Sequence, residues 1–244
     1  MTLHTVTYGS SSETPLVLLG SLGSSVKMWL PQLDHFSASR QVVAVDLPGH
    51  GLSDTVAPSV ESFATAILNT LPFEQFDLMG LSLGGALAQH IALNHPDRVR
   101  RLVLVSTAPK FGESDAWIQK AADVRAGKLD EFSHGTLERW FSPTWRASHP
   151  ASYEYWRQMV SGSPAEGYAL ACEALSGFHN TSLESITVPT LIVAGEQDTS
   201  TPPSVVQTLQ AIPGSRYEEF SPAAHLLNVE RAAEFNALVE EFLG

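Results

Sequence analysis

A serine framed by glycines, Gly80-Leu81-Ser82-Leu83-Gly84, stands between an apolar strand-like run (Phe76 to Met79) and a helix-like run (Ala86 to His95). No other feature constrains this chain as strongly. A sharp turn from strand into helix pushes its central residue into a strained backbone conformation and leaves the side chain exposed at the tip. Glycines beside it remove the side chains that would collide there. A serine hydroxyl is a poor nucleophile until a base takes its proton. The pattern therefore demands a histidine, and an acid to orient it, elsewhere in the chain.

Both occur downstream. Gly195-Glu196-Gln197-Asp198 follows the apolar run Leu191-Ile192-Val193-Ala194, which reads as a buried strand ending in a loop. Ala223-Ala224-His225-Leu226 follows the segment Tyr217 to Phe220. The expected roles are Ser82 as nucleophile, His225 as general base and then acid, and Asp198 as the group that holds the His225 tautomer. Asp198 also suits a cap on the helix starting near Pro202. Glu196 is the rival acid, two residues nearer the strand. A tetrahedral intermediate needs two backbone N–H donors. Leu83, directly after the nucleophile, and Leu22, in the loop after the second strand, are expected to supply them.

Strand-like runs at Leu3–Tyr8, Pro15–Leu19, Gln41–Asp46, Phe76–Leu81, Leu102–Thr107, Thr190–Gly195 and Arg216–Phe220 alternate with helical patterns at Ser62–Thr70, Gly84–His95, Pro203–Ala211 and Arg231–Leu243. That alternation predicts an α/β fold with a mostly parallel sheet flanked by helices, because continuously apolar strands are buried on both faces. Lys110 to about Ser185 breaks the rhythm, with helical patterns and no buried strand. Four of the five tryptophans lie there, and seven of the fourteen Lys and Arg residues fall between Lys110 and Arg157, matched there by seven acids. The expected organisation is a core from residues 1–109 and 186–244 with a helical cap, 110–185, over the nucleophile.

A net charge of -12 makes nucleic acid and anionic membranes poor partners. No apolar run of about 18 residues exists to span a bilayer. Met1-Thr2-Leu3-His4 has no basic and apolar leader pattern. Cys172 is the single cysteine, so an intrachain disulfide is excluded, and the simplest compartment is the cytoplasm. The nine histidines are scattered, and no nucleotide fingerprint, P-loop or metal-ligand cluster is visible. No cofactor and no metal are expected, and nothing fixes an oligomeric state.

The chain resembles the α/β-hydrolase family along essentially its whole length. The resemblance is carried by Gly20-Ser21-Leu22-Gly23-Ser24-Ser25 with Met28-Trp29, Asp46-Leu47-Pro48-Gly49-His50-Gly51-Leu52-Ser53, Gly80 to Gly85, His95-Pro96-Asp97-Arg98-Val99, Gly195 to Asp198 and Ala224-His225. The order Ser82, Asp198, His225 is that of the family. Within it the chain is most similar to the 3-oxoadipate enol-lactonases, through Ser21-Leu22-Gly23, Arg139-Trp140-Phe141, Gly167-Tyr168-Ala169, Cys172-Glu173-Ala174-Leu175, Asp198 to Pro203 and the Ala-Ala-His around His225. It departs from them at Leu47-Pro48, where they commonly carry Arg, and at Phe178-His179-Asn180, where they usually carry Asp then Arg.

The resemblance implies hydrolysis of a small ester or lactone through an acyl-enzyme, with 3-oxoadipate enol-lactone of aromatic catabolism as the expected substrate. That substrate carries a free carboxylate, for which Arg125, Arg139, Arg146 and Arg157 are candidate partners. Trp140 and Arg139 are the expected substrate-binding residues. The alternatives are a general carboxylesterase or C–C bond hydrolase of the same fold, and a non-catalytic ligand-binding protein on the same scaffold. His50, between two glycines, reads as a structural turn. His90 and His95 read as packing or capping residues, and Asp46 as a brace for a loop.

Overall fold

The computed structural model of the protein describes residues 3–10 and 14–244. Met1 and Thr2, on which the leader-free reading of the N-terminus partly rests, lie outside them. Among the described residues, seven strands form one sheet in the order β1-β3-β2-β4-β5-β6-β7. They are β1 (Thr5–Tyr8), β2 (Leu16–Leu19), β3 (Val42–Val45), β4 (Phe76–Leu81), β5 (Val99–Val105), β6 (Thr190–Gly195) and β7 (Arg216–Phe220). Only β1 runs antiparallel, against β3; every other pairing is parallel. Strands β2, β3, β4 and β6 are buried at every position, as their largely apolar sequences require when both faces are covered. The sheet ends in β7, whose Arg216, Glu218 and Glu219 put charge on an open edge and discourage pairing with another chain.

Strand β5 begins at Val99, earlier than the apolar run suggests, because Arg100 and Arg101 hide its start. Arg100 is accommodated by the fully buried Asp77 of β4, to which its Nε donates at 2.8 Å. Arg40 reaches the same carboxylate through Nη1 at 3.1 Å. A buried carboxylate paired twice avoids the desolvation cost of a lone charge.

The helices are α1 (Leu30–Phe36), α2 (Val60–Thr70), α3 (Leu83–Asn94), α4 (Ser114–Arg125), α5 (Leu129–Trp140), α6 (Pro143–Ser148), α7 (Pro150–Ser161), α8 (Ala165–Ser176), α9 (Pro203–Val206), α10 (Leu227–Glu230) and α11 (Ala232–Leu243). Helix α1 packs on α11 and α2 on α3. The helix expected over Pro203–Ala211 is α-helical only to Val206 and tightens to 3-10 from Gln207. There the Thr208 hydroxyl donates to the Val205 carbonyl at 2.6 Å and competes with the next α-helical bond. Helices α4 to α8 all lie between β5 and β6, and the ends of this insertion meet where the Asn180 amide donates to the Pro109 carbonyl at 2.8 Å. No helix among the described residues is long and apolar enough to cross a membrane.

The strand order places the site. The connection from β2 leads outward to β3, whereas the connection from β4 leads the other way to β5. Such a reversal opens a crevice at the carboxyl ends of the two strands. Leu19 of β2 is in register with Gly80 of β4, so the loop carrying Leu22 and the turn carrying Ser82 emerge side by side. Phe220 of β7 is in register with Gly195 of β6, which brings the Asp198 and His225 loops together at the same edge.

Candidate active site

Ser82 is the single residue between the last residue of β4 and the first of α3, with φ 57° and ψ -114°. A non-glycine residue in this region stores strain on the order of 1–3 kcal/mol and persists only where its surroundings hold it. The Ser82 amide donates to the Val105 carbonyl at 3.0 Å, and the Thr107 hydroxyl donates to the Ser82 carbonyl at 2.8 Å. The Gly84 amide reaches the Gly20 carbonyl at 2.9 Å and ties the start of α3 to the end of β2. A Cβ on Gly84 would run into the Leu19 carbonyl, and one on Gly80 into the Gly84 carbonyl. Glycine is required here for close approach of backbones. The Ser82 side chain keeps part of its surface accessible.

Asp198 and His225 are both buried, and His225 Nδ1 lies 2.7 Å from Asp198 Oδ2. A carboxylate accepts only, so the neutral ring carries its proton on Nδ1 and keeps the Nε2 lone pair free. The Thr201 hydroxyl donates to the same Oδ2 at 2.7 Å, while the Ser200 and Thr201 amides donate to Oδ1 at 2.8 and 3.0 Å. Asp198 therefore caps its own turn and not α9, whose start at Pro202 has no side-chain cap. Glu196 is exposed, takes a bond from the Ser221 hydroxyl at 2.6 Å and makes none with His225.

Ser82 and His225 line one cavity of about 270 Å³. Leu22, Arg139 and Trp140 line it too. Leu83 is fully buried and opens α3, so its amide sits at the positive end of the helix dipole. Neither the Leu22 nor the Leu83 amide donates to another group among the described residues. Gly23, at φ 77°, lets the loop turn after Leu22, and a Cβ there would meet the Tyr168 ring at 2.8 Å.

The other candidate cations are elsewhere. Arg125 is bound by Glu166 and Glu173, and Arg157 by Asp130 and Glu154; neither lines the cavity. Arg146 borders a separate depression with Pro143, Ala147, Pro150 and Tyr153. Trp117 lines the cavity beside Trp140, but Trp145 and Trp156 pack on Phe141 at ring distances of 4.0 and 5.7 Å. His50 is buried, and its Nδ1 lies 3.1 Å from the Pro48 carbonyl. Burial, partly offset by that bond, lowers its pKa. His90 borders another cavity, between Val60 of α2 and Ala174 of α8, and desolvation lowers its pKa. Asp46 accepts the Val26 and Leu52 amides at 2.7 and 3.0 Å and bridges two loops. Among the described residues no group of three or more His, Cys, Asp or Glu side chains is arranged to hold a metal ion.

Sequence reasoning missed several residues of the site. Thr201 steadies Asp198; the Asp-Thr-Ser-Thr run, with its hydroxyls and turn-forming Asp, is the signal that marks it. Lys120, Thr136 and Tyr168 line the cavity. Nothing local marks Lys120, which lies on a helix rich in charge.

A family model described as the alpha/beta hydrolase fold matches residues 14–232. The 3-oxoadipate enol-lactonase 2 of Acinetobacter baylyi is 34% identical, over 98% of this chain and 91% of its own. A pimeloyl-[acyl-carrier protein] methyl ester esterase of Legionella pneumophila is 28% identical over the full length of both. The crystal structure of the enol-lactonase from Burkholderia xenovorans superposes with a TM-score of 0.94 at 31% identity, covering 99% of this chain and 96% of that one. With this sheet order, this strained serine turn and these matches, the chain belongs to the α/β-hydrolase family.

Proposed function

We propose that the protein is a carboxylic ester hydrolase that forms an acyl-enzyme on Ser82, and that its substrate is a small anionic lactone of the 3-oxoadipate enol-lactone type. One observation carries this reading: the cavity that Ser82 and His225 share also carries Arg139 and no carboxylate side chain. Residues 110–185 serve in this reading as the cap over a core of residues 1–109 and 186–244. The enol-lactonase relatives support the lactone, and the single, buried Cys172 suits a reducing cytoplasm.

In this mechanism His225 Nε2 takes the Ser82 proton as Oγ bonds to the lactone carbonyl carbon. The oxyanion accepts from the Leu22 and Leu83 amides; losing one such donor typically costs about 2.7–4 kcal/mol of barrier. The carbonyl re-forms, the ring C–O bond breaks, and His225 returns the proton to the departing enol oxygen. The enol becomes a ketone, which makes ring opening effectively irreversible. Water, deprotonated by His225, then attacks the acyl carbon; the acyl C–Oγ bond breaks and His225 returns the proton to Ser82 Oγ. Asp198 stabilises the imidazolium formed in each half and stays ionised. Trp140 forms an apolar wall, and Arg139 is suited to bidentate capture of the free carboxylate.

The test is a substrate panel of 3-oxoadipate enol-lactone, 4-nitrophenyl esters of increasing length and a vinylogous diketone. Preference for the lactone by tenfold or more in kcat/KM is expected. Preference for a neutral ester moves the protein to the general esterases, in line with its 28% identical esterase relative. Preference for the diketone makes it a C–C bond hydrolase. Absence of all turnover makes it a binding protein.

A further inference from the structure

The cavity holds two cations and no counter-charge. Lys120 of α4 and Arg139 of α5 line it, and no Asp or Glu does. Neither has an ion-pair or hydrogen-bond partner among the described residues. Elsewhere in this chain of net charge -12, Arg40, Arg100, Arg125, Arg157, Arg216 and Arg231 are each bound to a carboxylate.

Lys120 is the less expected of the two. Its Nζ lies 5.2 Å from the centre of the Trp117 ring, 5.5 Å from Tyr168 and 5.8 Å from Phe132. Ring faces attract an ammonium and hold it in place, but they carry no net charge. Desolvation, reinforced weakly by the Arg139 charge, lowers the Lys120 pKa. The acidic group that acts on it most is the Cys172 thiol, and burial pushes that thiol up to about 12. Cys172 is therefore uncharged near neutral pH and leaves the ammonium unneutralised. A lysine on a solvated helix face would extend into water; this one is folded among three rings at the wall of the cavity that Ser82 also lines.

We propose that Lys120 is the residue that selects substrates bearing a free carboxylate: its caged ammonium receives that group, with Arg139 as the second cation of the same seat. This rests on the hydrolase reading of the cavity. The aromatic cage positions the charge in advance, so little side-chain order is lost when an anion binds. The ligand class is a short acyl chain that ends in a carboxylate.

The experiment compares mono-(4-nitrophenyl) glutarate, which is anionic, with its neutral methyl ester, in the wild type, Lys120→Met, Lys120→Arg and Arg157→Gln. A charge-assisted contact of this kind corresponds to roughly a ten- to hundredfold change in specificity constant. The ratio of kcat/KM for the anionic over the neutral ester is expected to fall by that factor in Lys120→Met. Lys120→Arg should recover most of it, and Arg157→Gln should leave the ratio unchanged. An unchanged ratio in Lys120→Met overturns the proposal, as does an equal loss on both esters, which would mark the lysine as structural. Should Lys120→Met not fold, calorimetry on the wild type decides. Glutarate must bind at least tenfold tighter than its diamide, and a smaller difference overturns the proposal. The hydrolase reading fails separately, if Ser82→Ala still turns over both esters. The calorimetric arm judges the cation seat whatever that result.

Discussion

The carboxylate of Glu230 accepts the amide of Ala224 at 2.9 Å, and Ala224 directly precedes His225. The same carboxylate takes the Ser142 amide at 3.1 Å and the Ser142 hydroxyl at 2.6 Å. On the other side of His225, the Leu226 amide donates to the Trp140 carbonyl at 2.9 Å. Both neighbours of His225 are thus tied to the junction of α5 and α6. The loop that carries the proposed base and the α5–α6 junction are held together.

Glu230→Ala should therefore loosen the His225 loop without touching the cavity. It strips the acceptor from two backbone amides and a hydroxyl, and an unsatisfied buried donor costs about 1–3 kcal/mol. A loss of stability of that order in a urea melt is expected, together with a fall in kcat larger than any rise in KM. An unchanged melt with unchanged kcat would mean that Asp198 alone holds the base.

Ser82→Ala should abolish hydrolysis and leave the thermal melt intact. The turn is held by the Ser82 amide on the Val105 carbonyl, the Thr107 hydroxyl on the Ser82 carbonyl and the Gly84 amide on the Gly20 carbonyl, none of which involves the Ser82 hydroxyl. Losses of about a million-fold accompany removal of such a nucleophile. Retention of more than about a hundredth of wild-type turnover, far above that expectation, would assign the role elsewhere.

Asp198→Asn should cost about ten-thousand-fold in kcat, the scale seen when an amide replaces the orienting acid of a serine protease. Glu196→Gln should cost little, because its carboxylate faces Ser221 and not His225. Steady-state kinetics on one ester ranks the two; a larger loss at Glu196 would reverse the assignment of the acid.

Gly84→Ala should destabilise the fold itself. The added methyl has no space beside the Leu19 and Gly20 carbonyls, which are backbone at the end of β2 and cannot turn aside as a side chain would. Overpacking of this kind costs typically about 1–3 kcal/mol. A thermal midpoint equal to that of the wild type would show that the β2–α3 contact is looser than described.

Cys172 should resist alkylation in the native protein at pH 8. Burial pushes its thiol up to about 12, so only on the order of one molecule in ten thousand carries the thiolate. The sign is clear: labelling should rise with pH toward that value and become fast on unfolding. Rapid native labelling by iodoacetamide, followed by mass spectrometry, would contradict the burial of α8.

Much of the architecture is local and therefore legible. Leu16–Leu19 and residues 191–194 are unbroken apolar runs, and short runs of this kind bounded by turn residues suit strands buried on both faces. Gly80, Ser82 and Gly84 announce their turn because its backbone admits so few alternatives. Asp198 and His225 are readable as strand-end residues, since each follows a strand by only a few positions. Arg100 and Arg101 mislead at the start of β5, because the sequence alone does not show that Asp77 waits on the next strand.

The cation seat belongs to the other class. Lys120, Arg139 and Tyr168 lie on three different helices, and only the packing of α4 on α8 sets the Lys120 ammonium against the Tyr168 ring. In the sequence Lys120 and Arg125 are alike, two cations on one helix. The tertiary structure separates them: Arg125 finds Glu166 and Glu173, while Lys120 finds aromatic rings and an open cavity. Helical periodicity distinguishes apolar from polar faces, but a polar face can front bulk water or a ligand cavity. Which of the two it meets depends on neighbours tens of residues away, and that decision is made only when the helices pack.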